Sequence, residues 1–280
     1  MKNSFGNRIN GVIMKTNSLF SFLGLVCLLV WIFILCIPLS LLTGATDDKS
    51  GGLTLGLSTA KQAYILGEPV SMAFTIRNNS DSRVELPGLI DVYGGTLVVF
   101  VAFEDGPYRQ YLGPGWAISG TRTSKPPMLD PGGSIERSAT LLHNRAPQRG
   151  DLNEQRWKLI TERSIDSEIA LPKPGRYRLK AILFGKIESP PLEIHITEPQ
   201  RIDDIEIWKV ISNQPEYALF MQSGDLLQGT LTDQRTKDMV DALETFINFH
   251  SASTYTSHFR AAIAKHRADV ERHLNATKLK

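Results

Sequence analysis

Histidine is the residue type in this sequence most suited to acid–base or metal chemistry. His266 and His273 are seven positions apart, so they share one face if their segment is helical. Neither belongs to a His-Glu-x-x-His pair, and no carboxylate accompanies them as a third ligand. We therefore interpret the histidines as surface or packing residues and predict no metal site and no cofactor. The full set is His143, His195, His250, His258, His266 and His273.

Other signatures of catalysis are missing from the sequence as well. No serine stands in a Gly-x-Ser-x-Gly elbow, and no glycine-rich loop leads from a strand into a helix. Glu104 and Asp105 are adjacent acids, but they directly precede Gly106 and Pro107 and are typical of a solvated hairpin turn. The sequence therefore predicts a protein that is not an enzyme.

Aromatic side chains that are expected to be exposed in predicted loops are the remaining candidates for chemistry, in this case the recognition of a partner. Tryptophan or tyrosine beside arginine is a common composition of binding surfaces, and loops on a rigid scaffold often carry function. A second interpretation stays open, in which a tryptophan folds under a long loop as a small satellite core. The candidate binding residues are Tyr108, Arg109, Tyr111, Trp116 and Trp157.

The N-terminal segment predicts export. Residues 1–18 are polar and cationic, and residues 19–42 form an uncharged apolar run long enough to cross a bilayer. With acids only downstream of the run, the N-terminus is expected in the cytoplasm and the remainder outside it, in the periplasm or at the cell surface. Small residues at 43–45 favour a cleaved signal peptide, whereas the length of the run favours a retained membrane anchor. Residues 1–45 are expected to be one or the other.

The net charge and the positions of the cysteines limit the classes of partner and the cellular compartment that the sequence allows. The formal net charge is +2 at pH 7, and part of it lies before the apolar run, so the remainder is close to neutral. This gives no electrostatic footprint for nucleic acid. Both cysteines, Cys27 and Cys36, lie inside the apolar run, so the part beyond it cannot form a disulfide. An exported domain without disulfides is typical of a bacterial envelope.

Residues 53–198 predict an antiparallel β-sandwich. Short segments alternate apolar and polar residues, most clearly at 70–77, and turn residues separate them without a clear helical stretch. The continuous apolar run at 97–103 predicts a strand buried on both faces. Residues 84–86 are expected to pair with the strand at 70–77.

The stretch at 171–184 contains the most specific fold signal. Pro174 and Gly175 signal a turn, and from Tyr177 onward apolar residues alternate with Arg and Lys. Tyr177 is placed to bury its ring and to turn its hydroxyl back to the backbone of the turn. This is the arrangement of a tyrosine corner.

After residue 199 the apolar period becomes helical. Residues 200–280 predict a helical domain with helices at 202–211 and 218–221 and a longer pair from 233 onward. A lone hairpin cannot leave its apolar face in water. We therefore expect it to dock on the first helix and the sandwich, with oligomerisation as the alternative.

These patterns resemble known families at the level of the fold. Gly-Glu-Pro-Val at 67–70 followed by an alternating strand, and Pro-Gly-x-Tyr at 174–177, resemble the Ig-like sandwiches common in bacterial exported proteins. They are also similar to bacterial proteinase-inhibitor domains of that shape. Residues 243–255 with the following Ala-rich helix look like one helical hairpin of the tetratricopeptide type. The resemblance implies a mainly β chain with an α-helical C-terminal region.

Three functions are compatible with this organisation. The first is a non-enzymatic binding or scaffolding module whose partner is another envelope protein, and it is the one the sequence favours. The second is a proteinase-inhibitor-like domain that would use the long loop at 113–133. The third is an enzyme whose site lies between the sandwich and the helical tail.

Overall fold

The computed structural model describes most of the chain beyond the N-terminal segment, and all of the described residues belong to one compact unit, Asp48–Lys280. The predicted signal peptide or anchor lies outside the described residues. Within the described parts, no helix combines the length and apolar character needed to cross a membrane. The described residues are 52–86, 90–92, 96–114, 126–145, 154–224 and 233–278.

Strands occupy the described residues up to position 197, in short segments as the alternation predicts. The strands are β1 (Leu53–Thr59), β2 (Ala63–Ile65), β3 (Val70–Asn78), β4 (Val84–Glu85), β5 (Leu97–Phe103), β6 (Arg109–Gln110), β7 (Met128–Leu129), β8 (Ser134–Leu141), β9 (Gly175–Leu183), β10 (Ile187–Glu188) and β11 (Leu192–Thr197).

The strands form two packed sheets and a small ribbon. One sheet has the order β1-β3-β8, and the other has the order β2-β11-β9-β5-β6 with β10 beside β9. All pairs are antiparallel except β2 and β11, which run parallel. The expectation that residues 84–86 pair with β3 is wrong, because β1 and β8 occupy both edges of β3. β4 pairs with β7 instead.

The hydrophobic core lies between the two sheets and follows the alternation of the strands. Met72 and Phe74 of β3 are buried and pack in one cluster with Val99 of β5 and Leu179 of β9. The expectation that β5 is buried on both faces is wrong, since its alternate residues, such as Phe100, are only half-buried. The two faces differ because only the inner face of β5 meets the opposite sheet.

The predicted tyrosine corner is confirmed. Tyr177 is 2% exposed. Its hydroxyl donates to the backbone oxygen of Lys173 at 2.9 Å and accepts a hydrogen bond from the Lys173 amide at 3.2 Å. One side chain therefore satisfies both backbone groups of a residue in the preceding turn and fixes the entry to β9.

Helices make up about as much of the described chain as strands, so the chain is mixed rather than mainly β. One helix lies within residues 53–198, the region predicted to contain strands without a helical stretch. The sequence there gives no helical signal because residues 143–156 are polar and show no regular period. The helices are α1 (Glu154–Arg163), α2 (Ile202–Asn213), α3 (Glu216–Ser223), α4 (Gln234–Phe249) and α5 (Thr256–Lys278).

The helical tail docks on one end of the sandwich, as expected. The second hydrophobic cluster combines Ile207, Phe220 and Phe259 of the helices with Leu142 and Ile169 of the sandwich part. Burial against these residues is what stabilises helices too short to persist alone.

Two contacts at this junction require specific residues. Gly67 has φ +80, and a Cβ there would collide with the ring of Trp208 from α2, so only glycine permits the close approach. The hydroxyl of Tyr255 donates to the backbone oxygen of Leu66, and Tyr255 is fully buried. The loop after β2 is therefore enclosed by the helices.

The first turn of α2 holds the turn between α4 and α5. Asp204 is 2% exposed. Its carboxylate accepts hydrogen bonds from the Ser253 hydroxyl at 2.7 Å and from the Thr254 amide at 2.7 Å. Next to it, Asp203 contacts Nδ1 of His250 at 2.9 Å. A buried carboxylate is tolerated here because neighbouring donors replace its hydration.

Candidate functional site

Tyr108 lies on the outer face of the larger sheet, just after the turn that joins β5 and β6. Its half-buried ring lies beside two cations. Nζ of Lys180 is 4.9 Å from the ring centroid, and Cζ of Arg178 is 5.5 Å from it. Both distances are within the range of cation–π attraction. We call Tyr108, Arg178, Lys180 and Phe100 the Tyr108 face.

The register of the sheet places these side chains together. Arg178 and Lys180 are two residues apart on β9 and therefore point to the same face. Phe100 of β5 lies directly opposite Lys180. Nζ of Lys180 is 5.7 Å from the centroid of Phe100 and 3.1 Å from a carboxylate oxygen of Glu188. The result is an alternating row of aromatic and cationic groups.

Arg178 fixes the turn that carries Tyr108. Its Nε donates to the backbone oxygen of Glu104 at 3.1 Å, and its Nη2 donates to the backbone oxygen of Gly106 at 3.3 Å. Among the described residues, these carbonyls rather than a carboxylate are its hydrogen-bond acceptors. The guanidinium therefore holds the turn before Tyr108 in place through carbonyls and keeps its positive charge.

The two acids of the same turn are structural. The backbone nitrogen of Arg176 donates to the Glu104 carboxylate at 2.9 Å, and the Arg176 guanidinium donates to Asp105 at 2.8 Å. Glu104 also has a positive φ of 49. The interpretation of Glu104 and Asp105 as turn residues is therefore confirmed, with the added role of clamping the start of β9.

Arg109 and Tyr111 flank the Tyr108 face in sequence but differ in exposure. Nη1 of Arg109 is 3.6 Å from Asp166, and both side chains reach solvent. Tyr111 was expected to be exposed, and that expectation is wrong, because it is 3% exposed. Its hydroxyl donates to the His143 oxygen at 2.8 Å and accepts from Nε2 of Gln222 at 2.9 Å. Tyr111 thus links the sandwich to α3.

The two tryptophans predicted as binding residues cannot be placed on this face. Trp116 lies outside the described residues. Trp157 lies in α1, but its side chain and that of the neighbouring Arg156 are outside the described part. The structure thus brings Tyr108 together with Phe100, Arg178 and Lys180, three residues that the sequence analysis missed. The signal was present in the alternation of β9, which puts cations on the face opposite the core.

A second group of ionisable residues lies at the junction of sandwich and helices. Glu68 is 6% exposed, and its carboxylate is 2.6 Å from Nζ of Lys61 and 3.6 Å from Nε2 of His258 on α5. Burial alone would raise the pKa of Glu68. The contacts with His258 and Lys61, together with the hydrogen bond from the Ile65 amide, outweigh burial and hold the pKa below its ordinary value.

This junction group fastens the tail to the sandwich rather than facing a substrate pocket. The cavity beside Glu68, lined also by Gly67, Leu142 and Ile169, is too tightly packed to hold a water molecule. A reacting group would need space next to the carboxylate. The cluster is therefore a connection between the two parts.

Among the histidines of the described chain, His143 and His266 are buried separately, whereas His195 and His273 are exposed. Nδ1 of His266 is 3.1 Å from the backbone oxygen of Gly224, and the ring lies 5.9 Å from that of Phe220. Burial lowers the pKa of His143, and the negative charge of Glu216, which acts in the opposite direction, is the smaller effect. The imidazole is therefore neutral at pH 7. In the described parts, no group of three or more His, Cys, Asp or Glu is arranged to hold a metal ion.

Comparison with known proteins assigns no family to the chain and gives only low-scoring similarity to solved structures. No protein-family model matches the sequence, and no curated protein matches it. Among solved structures, the CARDB domain of PF1109 from Pyrococcus furiosus is 9% identical with a TM-score of 0.26, over 53% of this chain and 96% of that domain. Spo0M, a sporulation control protein from Bacillus subtilis, is 13% identical with a TM-score of 0.26, over 58% of this chain and 56% of Spo0M.

A third solved structure is the alkylpurine DNA glycosylase AlkC from Pseudomonas fluorescens. It is 13% identical with a TM-score of 0.28, and the match covers 52% of this chain and 30% of AlkC. The chain thus spans less than a third of that protein's length.

Proposed function

We propose that this chain is a non-enzymatic envelope protein, exported or membrane-anchored through residues 19–42, that binds or scaffolds another envelope protein. In this proposal residues 53–198 are an Ig-like sandwich of the kind found in bacterial exported proteins, and residues 200–280 contain a hairpin of the tetratricopeptide type. The location is extracytoplasmic. No nucleic acid and no cofactor take part.

The Tyr108 face is the observation that carries the proposal. Its aromatic ring is held rigidly, because Arg178 bonds two carbonyls of the turn before it. Tyrosine and arginine are enriched among the few residues that contribute most of the binding energy at protein interfaces. Since Arg178 donates to carbonyls rather than to a carboxylate in the described chain, the partner segment is expected to present a carboxylate beside an apolar side chain.

Export is the first part of the proposal to test. A reporter that is active only in the cytoplasm, fused after Asp48, should be silent, because cations precede the apolar run and acids follow it. The same reporter fused before residue 19 should be active and serves as the control. Activity of the downstream fusion would remove the envelope localisation and the partner class with it.

Binding is tested by photo-crosslinking in cells. A photoreactive phenylalanine analogue in place of Tyr108 should crosslink to one envelope protein, whereas the same analogue in place of Phe249 should not. Phe249 is a suitable control because it is 84% exposed and lies on α4, away from the sheet. An identical set of products at both positions would contradict a specific site.

The captured protein then has to bind the purified fragment 48–280 in solution. Tyr108→Ala should weaken the complex about thirtyfold, the effect of losing an interface anchor worth about 2 kcal/mol. Phe249→Ser should leave the affinity unchanged. If the fragment instead inhibits a protease at equal molar ratio and Tyr108→Ala has no effect, the proteinase-inhibitor-like alternative replaces the proposal.

A further inference from the structure

The open end of the α4–α5 hairpin contains a groove that the proposed function does not use. Its volume is about 530 Å³. The floor is apolar, with Val240 from α4 and Val270 and Leu274 from α5. Leu274 is 46% exposed. Exposed apolar surface that is rimmed by polar residues is a feature of interaction sites.

The rim of the groove carries both signs of charge. Asp233, which directly precedes α4, and Lys237 and Asp241 of α4 lie on one side, and Arg267 and Glu271 of α5 lie on the other. The lining positions of each helix recur at three- and four-residue spacing, so each set forms one continuous face. Arg267 is already paired with Glu244 at 2.6 Å and also lies 3.8 Å from the carboxylate of Asp241. Lys237 and Glu271 therefore offer one charge of each sign on opposite helices.

We infer that this groove is the contact surface between two copies of the chain related by a two-fold axis. A two-fold interface brings the same patch of both copies together, so the patch must be complementary to itself. This patch has that property, because it holds both an apolar hollow and the exposed Leu274 that can enter it. Its rim likewise holds the cation Lys237 and the anion Glu271.

In the dimer, Leu274 of each copy enters the groove of the other, and Lys237 of each copy faces Glu271 of the other. The contact is small, and small interfaces are weak. We therefore expect a dimer that forms in the micromolar range and above. Retention of the chain at a membrane would raise its local concentration and favour the same dimer.

Sedimentation of fragment 48–280 tests the inference. The fragment contains both hydrophobic clusters and all the contacts described above. The apparent mass should rise from monomer to dimer between about 5 and 500 μM. Leu274→Glu should raise the dissociation constant at least about tenfold, since it places a charge in an apolar contact. Phe249→Ser, on an exposed residue outside the groove, should leave dimerisation unchanged.

A mixing experiment distinguishes contacts between copies from contacts within one copy. Lys237→Glu and Glu271→Lys should each weaken self-association, because each variant brings like charges together. When the two variants are mixed, every contact in the mixed dimer again joins opposite charges, so the mixture should dimerise as well as the unmodified fragment. An intramolecular pair would not respond to mixing.

Three results would overturn the inference. The first is a fragment that stays monomeric at every concentration, which would mean that another partner or the chain's own residues fill the groove. The second is a dimer that Leu274→Glu does not weaken. The third is open-ended growth beyond the dimer, which a two-fold contact does not allow.

Discussion

Replacing Tyr177 with phenylalanine tests the tyrosine corner on which the fold assignment depends. The substitution keeps the buried ring and removes only the hydroxyl, which bonds both the amide and the oxygen of Lys173. A net hydrogen bond is worth about 1 kcal/mol, and buried groups left without a partner cost more. We therefore expect Tyr177→Phe to reduce the free energy of unfolding of fragment 48–280 by about 2 kcal/mol.

The pH dependence of the same variant gives a second, independent measure. Burial raises the pKa of Tyr177 to about 12. Because the folded pKa lies above the value of about 10 in the unfolded chain, the stability from this hydroxyl is complete below pH 10 and is lost as the pH rises towards 12. The difference in stability between the unmodified fragment and Tyr177→Phe should therefore shrink above pH 10.

Urea unfolding at pH 7 and between pH 9 and pH 11.5 measures both effects. Tyr108→Phe is the matched control, because its hydroxyl has no hydrogen-bond partner among the described residues and its ring contacts persist. It should change stability by less than about 0.5 kcal/mol. Equal losses at Tyr177 and Tyr108, or a Tyr177 difference that does not change above pH 10, would refute the corner.

Three further changes probe other parts of the fold. Phe74→Ala removes a fully buried ring and should cost about 3–5 kcal/mol in urea unfolding; a loss below about 1 kcal/mol would place β3 outside the core. Asp204→Ala should cost about 2–4 kcal/mol, because Ser253 and Thr254 lose their buried acceptor; an unchanged melting temperature would contradict this role. Glu68→Gln should destabilise the fragment at pH 7. Since the folded pKa of Glu68 is depressed, the difference should vanish as the pH falls through that pKa below 4.5, and a constant difference would show that the charge is irrelevant.

The local parts of the fold could be predicted from the sequence because their signals lie within a few residues. The turn at Pro174 and Gly175, followed by alternation from Tyr177, is sufficient to place β9 and its corner. The same holds for β3, whose alternation runs unbroken over the strand. In each case the burial pattern alone selects the register, since a shift by one residue would expose the core face.

Contacts between distant residues could not be predicted in this way. β2 is three residues long and pairs in parallel with β11, far along the chain. Tyr255 bonds Leu66 across 189 positions. Neither contact leaves a periodic signal. α1 was missed because half of its ten residues are charged, so propensity rather than an apolar stripe defines it.

The candidate site was predicted only in part for a related reason. Sequence composition identified Tyr108 and Arg109, but the alternation that defines β9 was used only for its core side. Arg178 and Lys180 lie on the other side of that strand, and their role depends on which residues of β5 lie opposite. Tyr111 shows the opposite error. Its position in a predicted loop indicates an exposed side chain, but Gln222 of α3, which is distant in sequence, covers its hydroxyl.

The docking of the helices also determines where a partner can bind. Sandwich domains commonly bind through their end loops. At the end where the helices dock, that surface is occupied, since Leu66 and Gly67 lie against Tyr255 and Trp208. Opening that end would expose the second hydrophobic cluster, which holds the helices against the sandwich. Recognition is therefore expected on surfaces that need no rearrangement, and the Tyr108 face is one because its ring and cations are already held in place.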